Sequence, residues 1–151
     1  MKLVLQRVRR ARVRVGDREV ASIDRGFLVL CGVGRGDTEA DRAYLARKVC
    51  NLRVFDDADG KMNLGPREVD AQFLVVSQFT LFADTARGNR PSYLDAAPPA
   101  EGEAGYEAFV ALLRAEGFAV QTGVFGANMQ VELENDGPVT LILESQGRES
   151  P

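Results

Sequence analysis

Residues 27–33, Phe-Leu-Val-Leu-Cys-Gly-Val, form a continuous apolar run bounded by glycines. A run with no wet side predicts a strand covered on both faces, so the rest of the chain has to supply the cover. It is much too short to cross a bilayer. The 151 residues have room for one domain, which at that size buries about 70% of the surface its unfolded chain exposes. Hydrophobic residues at 45% and charged residues at 27% match an ordinary folded protein and leave no need for staples. Cys31 and Cys50 are not spaced as a CxxC pair and read as small apolar packing residues, not a disulfide. The N-terminus has no signal-peptide core, so the expected location is cytoplasmic, away from any membrane.

Covering elements are legible on both sides of that run. Asp37 or Thr38 can cap a helix to about Asn51, with Ala40, Tyr44, Leu45, Val49 and Leu52 as its apolar stripe. Glu103 to Glu116 predicts a second helix that buries Tyr106, Phe109, Val110, Leu112 and Leu113 and stops at Gly117. Arginines 10, 12 and 14 alternate with Ala11, Val13 and Val15, the pattern of a peripheral strand with one solvated face. Phe73 to Phe82 predicts the strongest strand, with polar groups in its middle, and a long loop follows at 83–102. Further strands are expected at Phe118–Thr122, Gln130–Glu134 and Val139–Glu144, the last two separated by Asn135-Asp-Gly-Pro138. The expectation is one α/β domain over 1–145, dominated by sheet with two helices outside, and a disordered tail at 146–151.

The chain contains no histidine, which removes Ser-His-Asp and Cys-His catalysis, His-ligated zinc and the usual base near neutral pH. Neither a metal nor another cofactor is expected. Asp56-Asp-Ala-Asp-Gly60 is not an EF-hand: with Gly60 as the sixth loop residue, Phe55 falls at the first ligand position and Pro66 at the twelfth. Gly32, Gly34 and Gly36 lack the Lys-Ser/Thr of a phosphate loop and read as a glycine-rich turn. A net charge of −3 argues against broad binding to a nucleic-acid backbone, DNA included, but leaves room for a narrow contact with one RNA end.

Two segments carry candidate chemistry. In Ser77-Gln-Phe-Thr-Leu81 a regular strand would send Ser77 and Phe79 to one face and Gln78 and Thr80 to the other. Either the strand ends or bulges there, freeing backbone N–H groups for a ligand, or the polar groups form an edge rim satisfied by nearby backbone. In Asn135-Asp-Gly-Pro-Val-Thr140 the proline cannot donate to a ladder, and the segment reads either as a rigid specified unit or as a hairpin with Asp-Gly at its tip.

These segments, with Gln6-Arg7-Val8, Gly60-Lys-Met-Asn63, Arg90-Pro-Ser92, Thr122-Gly123, Phe125-Gly-Ala127 and Met129, make the chain resemble the bacterial D-aminoacyl-tRNA deacylases from end to end. The resemblance implies a barrel-like fold, a homodimer, and hydrolysis of the ester joining a D-amino acid to the 3′-terminal adenosine of its tRNA. It further implies that Gly137 and Pro138, joined by a cis bond, enter the partner's site and that Arg7 braces them. Two main-chain carbonyls there would accept from the substrate α-amino group and occlude an L side chain, leaving glycyl-tRNA as an expected leak. Ser77, Gln78, Phe79 and Thr80 are the implied catalytic segment, with water as nucleophile because Thr80 lacks an adjacent base. Phe125 and Met129 are the candidate adenosine contacts, although core packing accounts for such residues equally well. Two rivals stay open: a relative that edits an L-amino acid on a mismatched tRNA, and a binding module without catalysis.

Overall fold

Residues 1–145 are described by the computed structural model, and the tail expected at 146–151 lies outside the described residues. Strand β1 (Lys2–Val15) is the axis of the sheet. Its first half pairs antiparallel with β3 (Gly26–Gly32), its second half with β2 (Arg18–Ile23), and its other edge with β8 (Gln130–Glu144). β6 (Gln72–Ser77) joins β3 in parallel and β7 (Val120–Thr122) joins β6 in parallel. A separate two-stranded ladder links β4 (Phe55–Asp56) to β5 (Met62–Leu64). The sheet curls until β2 approaches β7: Gln121 Oε1 accepts from the Ser22 N–H and Gln72 Oε1 from the Asp24 N–H, both at 2.8 Å. The result is a mixed sheet, nearly closed and barrel-like, with two helices outside.

The curl originates in β1. Val8 pairs with Asn135 and Arg10 with Glu134, so Arg9 is an extra residue on β1, a bulge that turns the strand over. Leu3 and Leu5 therefore face the helix-covered core with Phe27, Val29, Phe73 and Val75. Ala11 and Val13, on the same alternation, instead join Val8, Leu28, Leu74 and Val76 inside the curl. Residues 10–15 are thus interior to the sheet, contrary to the peripheral strand expected. The Arg stripe is neutralised by β8: Arg12 and Arg14 reach Glu132 at 2.6 and 2.9 Å, and Arg10 reaches Glu134 at 3.2 Å. Hydrogen bonding from Arg12 holds the Glu132 carboxyl below the usual carboxylate range.

Helix α1 (Glu39–Asn51) starts on a capping box in which Thr38 and Asp41 exchange bonds. Helix α2 (Pro99–Ala115) begins four residues earlier than expected, with Pro99 in the first turn where its missing N–H costs nothing. Gly105 lets α2 pack against Val33, where an added Cβ would come within 3.0 Å of Val33 Cγ1.

Candidate active site

The apolar run 73–82 changes conformation half-way. β6 ends at Ser77, and Phe79–Phe82 form a 3₁₀ turn, so the ten-residue strand expected is two elements. The last ladder bond runs from the Gln78 N–H to Cys31 O at 2.8 Å. Glycine at the end of β3 and two residues beyond it makes the turn possible: a Cβ at Gly34 would sit 2.7 Å from the Phe82 ring, and one at Gly32 3.1 Å from Gln78 O.

The turn decides which backbone donors are available. Gln78 N–H is committed to Cys31 and Leu81 N–H donates to Gln78 O, while the N–H groups of Phe79 and Thr80 have no acceptor among the described residues. The Thr80 hydroxyl accepts from the Gln78 side-chain amide. Phe79 is exposed and meets Tyr93 edge-on, ring centroids 5.1 Å apart.

Beside this turn lies a cavity of about 590 Å³, lined by Ser77, Gln78 and Phe79, by Tyr93 and the 96–99 segment, and by Phe125 to Met129. Phe125 packs on Tyr106 at 6.2 Å and over Gly102. Met129 Sδ accepts from the Val124 N–H at 3.4 Å and fills the space over Gly123. Both residues therefore serve packing and line the cavity. Among the described residues no carboxylate lines it. Burial pushes the Cys31 thiol and the Tyr106 hydroxyl up to about 12, and Tyr106 donates to Val75 O at 2.9 Å, so neither is a base at neutral pH.

Gly137 and Pro138 are exposed, joined by a cis bond, and do not line that cavity in their own chain. They are not the tip of a hairpin, and the two strands expected here are one. β8 runs antiparallel to β1 on both sides of them, and four residues, 136–139, stand opposite the single residue Arg7. The arch is clasped from within: Asn135 Oδ1 accepts from the Val139 N–H at 2.8 Å and Asn135 Nδ2 donates to Val139 O at 3.1 Å. From below, the guanidinium of Arg7, a buried residue, donates through Nε to Asp136 O at 2.8 Å and through Nη1 to Val54 O at 2.7 Å. The carbonyl it holds is thus that of Asp136, one residue before the glycine.

The family model for D-Tyr-tRNA(Tyr) deacylase matches residues 4–144. The chain belongs to this family. Among curated members, a D-aminoacyl-tRNA deacylase of Thermotoga petrophila is 54% identical over 145 residues, covering 96% of this chain and 97% of the relative. One of Geobacter sulfurreducens is 54% identical over 150 residues, covering 99% of each. Among solved structures, the c-Myc DNA Unwinding Element Binding Protein superposes with a TM-score of 0.89 at 41% identity, covering 100% of this chain and 99% of that one. A probable eukaryotic D-amino acid tRNA deacylase shares the fold at 18% identity, with a TM-score of 0.78 over 95% of this chain and 98% of that one. Within this family member, sequence reasoning missed the Asn135 clasp and Tyr93, which adjoins the Arg90-Pro-Ser92 segment. An amide placed four residues before a bonded N–H was the signal for the first.

Proposed function

We propose that the chain, as a homodimer, hydrolyses D-aminoacyl-tRNA to free D-amino acid and tRNA. The observation that carries this reading is that, among the described residues, the N–H groups of Phe79 and Thr80 have no acceptor and lie beside a cavity that no carboxylate lines. Two such donors suit the oxygen that becomes negative when water adds to an ester carbonyl, and a base-free wall suits a substrate already activated. Water forms the new C–O bond, the bond to the ribose oxygen breaks, and that oxygen leaves with a proton. The 2′-OH of the terminal adenosine orients the water, or takes its proton while passing its own to the departing ribose oxygen. Ser77 and Gln78 position the turn, and Phe125 and Met129 contact the adenosine.

The arch of one protomer supplies the chiral filter for its partner. Gly137 and Pro138 lie outside their own cavity, and a face rich in apolar groups adjoins them: Ile142 is 71% exposed, cross-strand from half-buried Val4, with half-buried Leu30 on the far side of Val4. A second copy is the occupant this face fits. Backbone carbonyls at the arch accept from the α-amino group and exclude an L side chain by contact, so D side chains of many kinds are admitted, as is glycyl-tRNA, including that mischarged on tRNA(Ala). No membrane is involved, and the site of action is the cytoplasm.

Purified protein incubated with D-tyrosyl-tRNA and L-tyrosyl-tRNA should release only the D-amino acid. L-release would instead favour the relative that edits L-amino acids, and no release a binding module. A fully active monomer in the ultracentrifuge would remove the partner's arch from the reaction.

A further inference from the structure

We propose that Arg35 binds the 5′-phosphodiester of the terminal nucleoside, a contact that separates an RNA end from a free nucleoside; this rests on the deacylase reading above. Among the described residues lining the cavity, Arg35 is the one that carries a charge. A nucleoside in that cavity is neutral, but the chain it terminates leaves through the mouth with a negative phosphate. Arg35 is exposed there, beside buried Val33 and Gly34.

The residue and its neighbours are held by the 94–97 segment. Its N–H donates to Asp95 O at 2.9 Å, the Ala97 N–H donates to Val33 O at 3.0 Å, and Gly34 bridges to Ala96. Its Nε donates to Leu94 O, which fixes the guanidinium against the same segment. Among the described residues Nη1 and Nη2 have no acceptor and no carboxylate lies within ion-pair distance. The contrast with the β1 arginines is direct, since Arg7, Arg10, Arg12 and Arg14 all pair with Asp or Glu. Asp37, two residues away, is taken by the Met1 ammonium and the Gly34 N–H, each at 2.6 Å. What is left is an anchored fork with two unspent donor groups, the geometry that matches two oxygens of one phosphate.

The test uses two esters of D-tyrosine, one on the 3′-oxygen of adenosine and one on that of adenosine 5′-phosphate methyl ester. The readout is the ratio of kcat/KM, phosphorylated over unphosphorylated. Arg35→Ala and Arg35→Gln should lower that ratio about tenfold, the worth of one charge-assisted contact, with partial recovery in Arg35→Lys. On intact D-tyrosyl-tRNA, the salt dependence of log(kcat/KM) should flatten by about 0.7, the slope of one phosphate contact on a single strand. Equal losses on both esters would mean that Arg35 orders the 94–97 segment instead, and an unchanged ratio and salt slope would mean no role; either overturns the assignment. Wild-type protein inert on all three substrates sinks the deacylase reading itself, a different outcome from an active enzyme indifferent to Arg35.

Discussion

Replacing Arg7 by Met keeps the unbranched apolar stem and removes the guanidinium under the arch. The carbonyls of Asp136 and Val54, bonded now at 2.8 and 2.7 Å, lose their donors in part-buried positions. An orphaned buried acceptor costs about 1–3 kcal/mol, and partial burial puts each near the lower half of that range, for a total of about 2–4 kcal/mol. The ion pairs to Asp56 at 3.3 Å and Asp136 at 4.0 Å add little, because both carboxylates are reached by solvent and such pairs contribute about 0–1 kcal/mol. The carbonyl bonds therefore dominate. For a chain of 151 residues the loss corresponds to a fall in Tm of about 5–15 °C. Urea and thermal unfolding at one fixed protein concentration measure it, since the stability of the proposed dimer would depend on concentration. The same variant should discriminate less between D- and L-tyrosyl-tRNA. An unchanged unfolding midpoint together with an unchanged D/L ratio would refute the claim that Arg7 holds the arch.

Three further outcomes are expected. Thr80→Ala should retain deacylation within about fivefold, the worth of the single hydrogen bond its hydroxyl accepts from Gln78, and an acyl group trapped on Thr80 would overturn this. Gly26→Ala should cost about 3 kcal/mol or more, because its Cβ would overlap the Gln72 carbonyl and lie 2.6 Å from the Gln72 nitrogen, backbone that cannot step aside; soluble variant of normal stability would contradict it. Burial lifts Cys31 and Cys50 from 9.0 to about 12 and about 11, and Tyr106 from 10.0 to about 12. The folded state keeps these protons longer than the unfolded one, so their contribution is complete below about pH 9 and is lost as the pH climbs through 9 to 12. The urea midpoint should therefore fall between pH 8 and pH 10.5, and fall less in Cys31→Ala; a flat profile would count against it.

The apolar run at 27–33 and the capped helix at 39–51 were legible because each is governed by local pattern, burial on two faces in one case and a side-chain cap in the other. Three features were not. The strand at residues 10–15 looked peripheral because its arginines alternate, yet their charge is answered by glutamates about 120 residues away on β8, a pairing no local window contains. The run 73–82 looked like one strand because Phe79, Leu81 and Phe82 are apolar; what ends it is the absence of side chains at Gly32, the last residue of β3, and at Gly34 just beyond, which admits a turn. The proline-containing segment suggested a break between two strands, but its flanks pair with the same strand in the same direction, so the interruption is a bulge. In each instance the deciding partner is remote in sequence.

That last distinction bears on how handedness can be judged. A hairpin tip is free on its outer side and moves with its turn. An arch inside a continuous strand is pinned by ladder bonds before and after it, here Val8 with Asn135 and Gln6 with Thr140. The Asn135 clasp closes it across its base and the Arg7 fork fixes it to β4 and to the residue leading into β4. Exclusion by contact depends on such stiffness, because a wall displaced by about 1 Å no longer rejects a methyl group, and functional geometry has to be held to about 0.5 Å. On the proposed reading the filter would then be as rigid as the sheet itself, and it would need no pocket shaped to any particular side chain to tell one hand from the other.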